Sequence, residues 1–176
     1  GKPSDLLVLE GDRLVDDALA SGLVFDAVFV AESRQERVAE LVRRGAPVRI
    51  VADELLGRSS GLATSPGILA LAPAPFAPDS SALAPEPRAL VLVVAGVSDP
   101  GNLGAIARSA EAAGARALCT LAGGASPWNE KALRGSMGSL LRLPVHRFDS
   151  ANAALAALPR HRHVRAATRA GTSWRR

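Results

Sequence analysis

Apolar and polar residues follow two rhythms along this chain. "GDRLVDDALASG" puts apolar side chains at 14, 15, 18 and 19, one face of a helix that Gly22 ends. "FDAVFVA" reads as a strand. "SRQERVAELVRRG" predicts a second helix, with Ser33 and Glu36 spaced as a capping box and Gly45 as its stop. "PVRIVA" is a strand, "DELLGRSS" a short helix and "GILALA" a third strand. Further on, "ALVLVVA" at 89–95 is a continuous apolar run, as expected of a strand buried on both faces. A helix is predicted over 102–113, ending near Gly114, and "RALCTLA" is the next strand. "SPWNEKALRGS" predicts a helix capped by Ser126 with Pro127 in its first turn. "LPVHRF" then reads as a strand, "SANAALAAL" as a short helix and "HVRAAT" as a last strand.

Between these halves, residues 73–87 ("PAPFAPDSSALAPEP") hold five prolines. Proline stiffens the chain and removes ladder donors, so the stretch reads as a linker between units 1–72 and 88–176. Both units alternate helix and strand. The fold class is therefore α/β: a small unit followed by a second one built on a parallel sheet.

Composition narrows this further. A chain of 176 residues, 48% hydrophobic, suits one medium domain or two small ones and not a disordered polymer. No uncharged apolar window is long enough to expect a membrane span, and the start has no signal-type apolar region. A cytoplasmic location is the expectation. The single cysteine, Cys119, lies in "ALCTLA" and reads as buried filler. The net charge of +4 is uneven. From Pro159 onward there are six arginines and no acid, while the rest carries 15 basic and 17 acidic residues. Such an end suits nucleic acid, and a solvated terminus accounts for it equally well.

The chemistry concentrates at "GVSDPGNLGAIAR". It follows a predicted strand, where open α/β sheets collect ligands. The spacing argues against a dinucleotide turn: the glycines stand at 96, 101 and 104, and the next strand ends in "CTLAGG" with no acid for a ribose. The other reading is a polar pocket. Arg108 follows Gly104 by four residues, and helical side chains lean back over the preceding turn. Its guanidinium should then lie over the bare backbone of Gly104 and Ala105, with space for a bulky anion such as phosphate. Asn102 brings a donor and an acceptor. The plainer alternative is a surface ion pair between Arg108 and Glu111. In "NEKALRGSMGSLLRLPVHRF", Lys131 and Arg134 share a predicted helix face. Ser136, Gly138 and Ser139 form a small-residue turn, for close approach of a ligand or simply as a connection into the strand. Arg34, Arg37, Arg43 and Arg44 form either a basic face or a solvated helix surface.

Together these stretches resemble the SpoU/TrmH family of RNA 2′-O-ribose methyltransferases, within the SPOUT superfamily. "DPGNLGAIARSAEAAGA" resembles the family's first motif and "KALRGSMGSLLRLPV" its second. "VLEGDRLVDDAL" and "TSPGILALA" more weakly resemble its L30e-like substrate-binding domain. The resemblance implies S-adenosylmethionine bound in a trefoil knot, an RNA substrate (ribosomal before transfer RNA), a homodimer and no metal. Carried over by position, the catalytic residues are Asn102, Arg108 and Ser136. RNA contacts fall to Arg108, Lys131, Arg134, Arg34 and Arg37, and the cofactor loop to Ala167, Thr168 and Gly171. The implied reaction is in-line transfer of a sulfonium methyl to a ribose 2′-hydroxyl. Arg108 holds a phosphate and steadies the developing alkoxide, and a phosphate oxygen or water takes the proton. The resemblance reaches about residue 148. The family's third motif is not found in "RHRHVRAATRAGTSWRR". The expectation is a shortened domain that binds the cofactor weakly or not at all. The alternative is an RNA-binding module that does not catalyse.

Overall fold

The computed structural model describes residues 6–77, 83–84 and 89–158. The first unit is built on a sheet in the order β1-β4-β2-β3, from β1 (Leu6–Glu10), β2 (Ala27–Ala31), β3 (Val48–Val51) and β4 (Ile68–Pro73). β4 runs antiparallel to both β1 and β2, with Val8 opposite Leu71 and Val28 opposite Ala70, and β2 runs parallel to β3. β1 has no counterpart in the pattern-based reading. Helix α1 (Asp12–Ala20) buries Leu14, Val15 and Ala18 on one face, as its spacing requires. The predicted second helix is split. Residues Glu32–Arg37 form a 3-10 turn and only Val38–Arg43 are α-helical (α2). No capping box forms: the Ser33 hydroxyl bonds to Asp53, and Glu36 accepts from Arg34 Nε at 2.8 Å. α3 (Asp53–Ser59) packs Leu56 against the other face of the sheet, beside Ala31 and Leu69.

The second unit carries the parallel sheet β5-β6-β7, from β5 (Leu90–Val94), β6 (Ala115–Leu121) and β7 (Val145–Phe148). β5 is not buried on both faces. Its residues are half-buried or exposed, while Ala117, Leu118 and Cys119 of central β6 have no exposed surface. Burial raises the Cys119 thiol to about 11, so it is an inert packing group. α4 (Pro100–Ala112) starts on an Asp99 cap with proline in its first turn and ends before Gly114, which has φ 77°. α5 (Glu130–Ser136) starts three residues later than Ser126 suggests. Asn129 is its cap, and the Ser126 hydroxyl instead accepts from Trp128 N at 3.2 Å within the preceding turn. A short helix, α6 (Ser139–Arg142), stands where a simple turn was expected, and α7 (Ala151–Ala157) follows β7 on a Ser150 cap. The expected strand at "HVRAAT" lies outside the described residues.

The proline-rich stretch is not a free linker where it is described. Phe76 pairs with Val145 of β7 and meets the Trp128 ring edge-on at 5.4 Å, and Ala77 N donates to Val145 O at 2.9 Å. Leu83 is buried beside Ala117 and Cys119. One apolar cluster runs from Leu7, Val15 and Val28 in the first unit to Leu118, Trp128, Leu133 and Val145 in the second. The two sheets therefore share a core.

Candidate functional site

Parallel strands deliver their loops to one edge, and here the loops after β5 and β6 are tied together by Ala125 N donating to Val97 O at 2.8 Å. At this edge lies an open groove of about 480 Å³, lined by Gly96, Val97, Ser98, Asp99, Asn102, Ala105 and Ile106. The backbone of the loop forms one wall and α4 the other. Gly96 has φ 70°, and a side chain there would have open space around it, so the conformation and not crowding calls for glycine.

Asp99 organises the groove's floor. Its Oδ1 accepts from Asn102 N at 2.8 Å, and its Oδ2 takes Lys131 Nζ at 2.7 Å. The Lys131 ammonium, followed by the Asn102 amide, holds the Asp99 carboxyl below its ordinary value. Lys131 is thus joined to Asp99, and Arg134 pairs with Glu130 one turn back.

The structure corrects the reading of Gly104. Its backbone is not bare for a ligand. A Cβ there would lie 2.3 Å from Ala132 O and 2.8 Å from Ser136 N. Opposite, a Cβ on Gly135 would lie 3.2 Å from Gly101 O. Gly104 and Gly135 let α4 and α5 cross backbone to backbone. The glycines of the two motifs are partners of each other.

Arg108 lies on that same side of α4. Six residues at about 100° each place it about 120° around the helix from Asn102. Asn102 lines the groove and Arg108 does not. The single pocket expected to hold both residues is therefore two adjacent places. Arg108 is exposed, with Nη1 3.4 Å from Met137 Sδ. The alternative Arg108–Glu111 pair does not form, because Arg142 takes Glu111 in a two-pronged contact of 2.6 and 2.8 Å. No described carboxylate pairs with Arg108.

Ser136 is fully buried. Its hydroxyl donates to Leu133 O at 2.8 Å and accepts from Leu140 N at 3.4 Å, joining α5 to α6. It is not among the residues that line the groove. Arg34 and Arg37 do not form a basic face. Arg34 bonds Asp12, Glu36 and Pro66 O, and Arg37 meets Asp12, Asp16 and Glu40, with Arg44 also on Asp16. Ala167, Thr168 and Gly171 lie outside the described residues.

These features define an α/β unit with its groove at the carboxyl edge of a parallel sheet. The family model described as "SpoU rRNA Methylase family" matches residues 89–176, half of the chain and past residue 148, and the chain belongs to that family. It is 34% identical over 149 residues to human mitochondrial rRNA methyltransferase 3, an alignment covering 79% of this chain and 34% of that protein. It is 29% identical over 144 residues to the 23S rRNA (guanosine(2553)-2'-O)-methyltransferase RlmP of Bacillus subtilis, covering 82% and 55%. The SpoU methyltransferase AviRb from Streptomyces viridochromogenes, solved with AdoMet, superposes with a TM-score of 0.76 at 25% identity, covering 87% of this chain and 59% of that one. The chain thus spans between a third and three fifths of the length of these relatives.

Proposed function

We propose that this chain takes part in S-adenosylmethionine-dependent 2′-O-ribose methylation of RNA, with ribosomal RNA the substrate. The observation that carries the reading is the family match over 89–176 falling on the unit that holds the groove. The groove fits a cofactor of this kind: its 480 Å³ lies within the roughly 300–1,000 Å³ of small-molecule sites, and loop backbone and Ala105 leave it open. Bound there, S-adenosylmethionine would supply an activated methyl group. Val97, Ser98 and Asn102 would offer it hydrogen-bonding groups, and Ala167, Thr168 and Gly171 complete the site by resemblance.

The chain's own residues divide the remaining work. Asp99 fixes the first turn of α4 and with it Asn102. Arg108, outside the groove and paired with no described carboxylate, holds a backbone phosphate of the RNA with its planar fork. It is not a base, because a guanidinium offers five N–H donors and no acceptor. A phosphate oxygen or water takes the hydroxyl proton. A homodimer belongs to the same proposal.

The test is transfer of tritiated methyl from S-adenosylmethionine to ribosomal RNA, followed by alkaline hydrolysis. Label in an alkali-resistant dinucleotide is the expected result. Label on a base overturns the reaction type, and RNA binding without transfer favours the non-catalytic module. Arg108→Lys keeps the charge and loses the fork, and is expected to raise KM for RNA about tenfold. Wild-type kinetics in that variant would remove Arg108 from the site.

A further inference from the structure

Arg108 owes its availability to two residues that never enter the groove. Glu111 stands one turn along α4 at i+3, the position from which a glutamate neutralises an arginine on a helix face. It is turned away because Arg142 of α6 grips both its oxygens at 2.6 and 2.8 Å. Met137 connects the same parts. Its carbonyl accepts from Arg142 Nη2 at 3.3 Å, and its thioether lies 3.4 Å from Arg108 Nη1.

The backbone at Met137 is unusual. It is the one non-glycine residue with positive φ among those described, at φ 51° and ψ 44°. Glycine is the default residue for that conformation. Met137 is also 40% exposed, so burial does not explain a long apolar side chain here. What it does is lie against a cation. A thioether supports a guanidinium and leaves its full charge in place, which a carboxylate would not.

We infer that Arg142 and Met137 are positioning residues for Arg108: Arg142 keeps Glu111 away from it, and Met137 seats it without neutralising it, so that it stays open to an RNA phosphate. This inference rests on the reading of Arg108 as the phosphate-holding residue. Its test uses RNA affinity, so a failure of methyl transfer in the wild type would overturn the proposed reaction and leave this result readable.

Binding of purified bacterial ribosomal RNA is measured against salt concentration for five variants. Arg142→Ala frees Glu111 and is expected to weaken binding about fivefold, the effect of one added charge some 4 Å away in water. Its log–log salt slope falls by about one. Glu111→Gln alone leaves affinity and slope unchanged. The double variant Glu111→Gln with Arg142→Ala returns to within about twofold of wild type, because Arg142 acts through Glu111. A double variant as weak as Arg142→Ala overturns the inference, as does wild-type binding by Arg142→Ala. Met137→Ala tests the other half and leaves the ion pair intact. It is expected to weaken binding about threefold by releasing the guanidinium, and Met137→Leu, which keeps the bulk, to recover most of the loss. Wild-type binding by Met137→Ala overturns the seat even if Arg142→Ala fails to fold.

Discussion

Lys131 Nζ lies 2.7 Å from Asp99 Oδ2, so α5 is fastened to the residue that caps α4. The contact joins the two motif stretches at the groove's edge. It also sets the Lys131 ammonium against a carboxylate.

Asp99 combines a helix cap with an ion pair, and substitutions separate the two. Asp99→Asn keeps a side-chain acceptor for Asn102 N and loses the pair with Lys131. Asp99→Ala loses both. The alanine variant is expected to melt several degrees below wild type and the asparagine variant to fall between them, as followed by circular dichroism.

Gly104→Ala is expected to cost about 1–3 kcal/mol, because the new methyl meets the backbone of α5 and not a side chain that can swing aside. Each kcal/mol lowers the melting temperature by about 2–4 °C in a chain of this size. Gly57→Ala is the control. Gly57 sits within α3 with open space around its Cα, and alanine there should stabilise by about 0.5–1 kcal/mol.

Arg142 holds the Glu111 carboxyl below its ordinary value of 4.5. A lowered folded-state pKa adds stability above the unfolded value, and that stability is lost as pH falls through the folded one. The melting temperature should therefore hold from pH 7 to about 5 and then decline. Glu111→Gln should melt lower at pH 7 and decline less steeply on acidification.

Arg37 touches three carboxylates with only 17% of its side chain exposed. Arg37→Ala leaves Asp12, Asp16 and Glu40 to repel one another. It should cost about 1–3 kcal/mol, below the ~3–5 of a fully buried pair because the carboxylates reach water. RNA affinity should stay within about twofold. A loss on the scale of Arg108→Lys would restore Arg37 as an RNA contact.

Phe76→Ala should cost about 2–3 kcal/mol, since the half-buried ring forms an edge-on contact with Trp128. Urea unfolding should remain a single transition in the wild type, because one apolar cluster serves both sheets.

Element types were readable wherever one side of the chain faces the core. The apolar rows of α1 and α4 and the runs at β2, β4, β6 and β7 carry their own period. What the pattern missed depends on distant partners. Ser33 has the spacing of a cap, but Asp53, twenty residues on, takes its hydroxyl. The apolar run of β5 is richer than that of β6, and only the sheet order makes β6 central. Asn102, Arg108 and Lys131 were identifiable by residue type. Their division between groove and rim was not, because it depends on Gly104 meeting a helix nearly thirty residues later. The signal that was available is the second glycine at 135, which matches the first in size. Met137 was passed over because a left-handed backbone leaves no mark on a non-glycine residue.

The bridge from Phe76 to β7 splices the chain that leaves β4 onto the second sheet. A change that loosens one sheet should therefore be felt in the other, because the same apolar cluster lies under both.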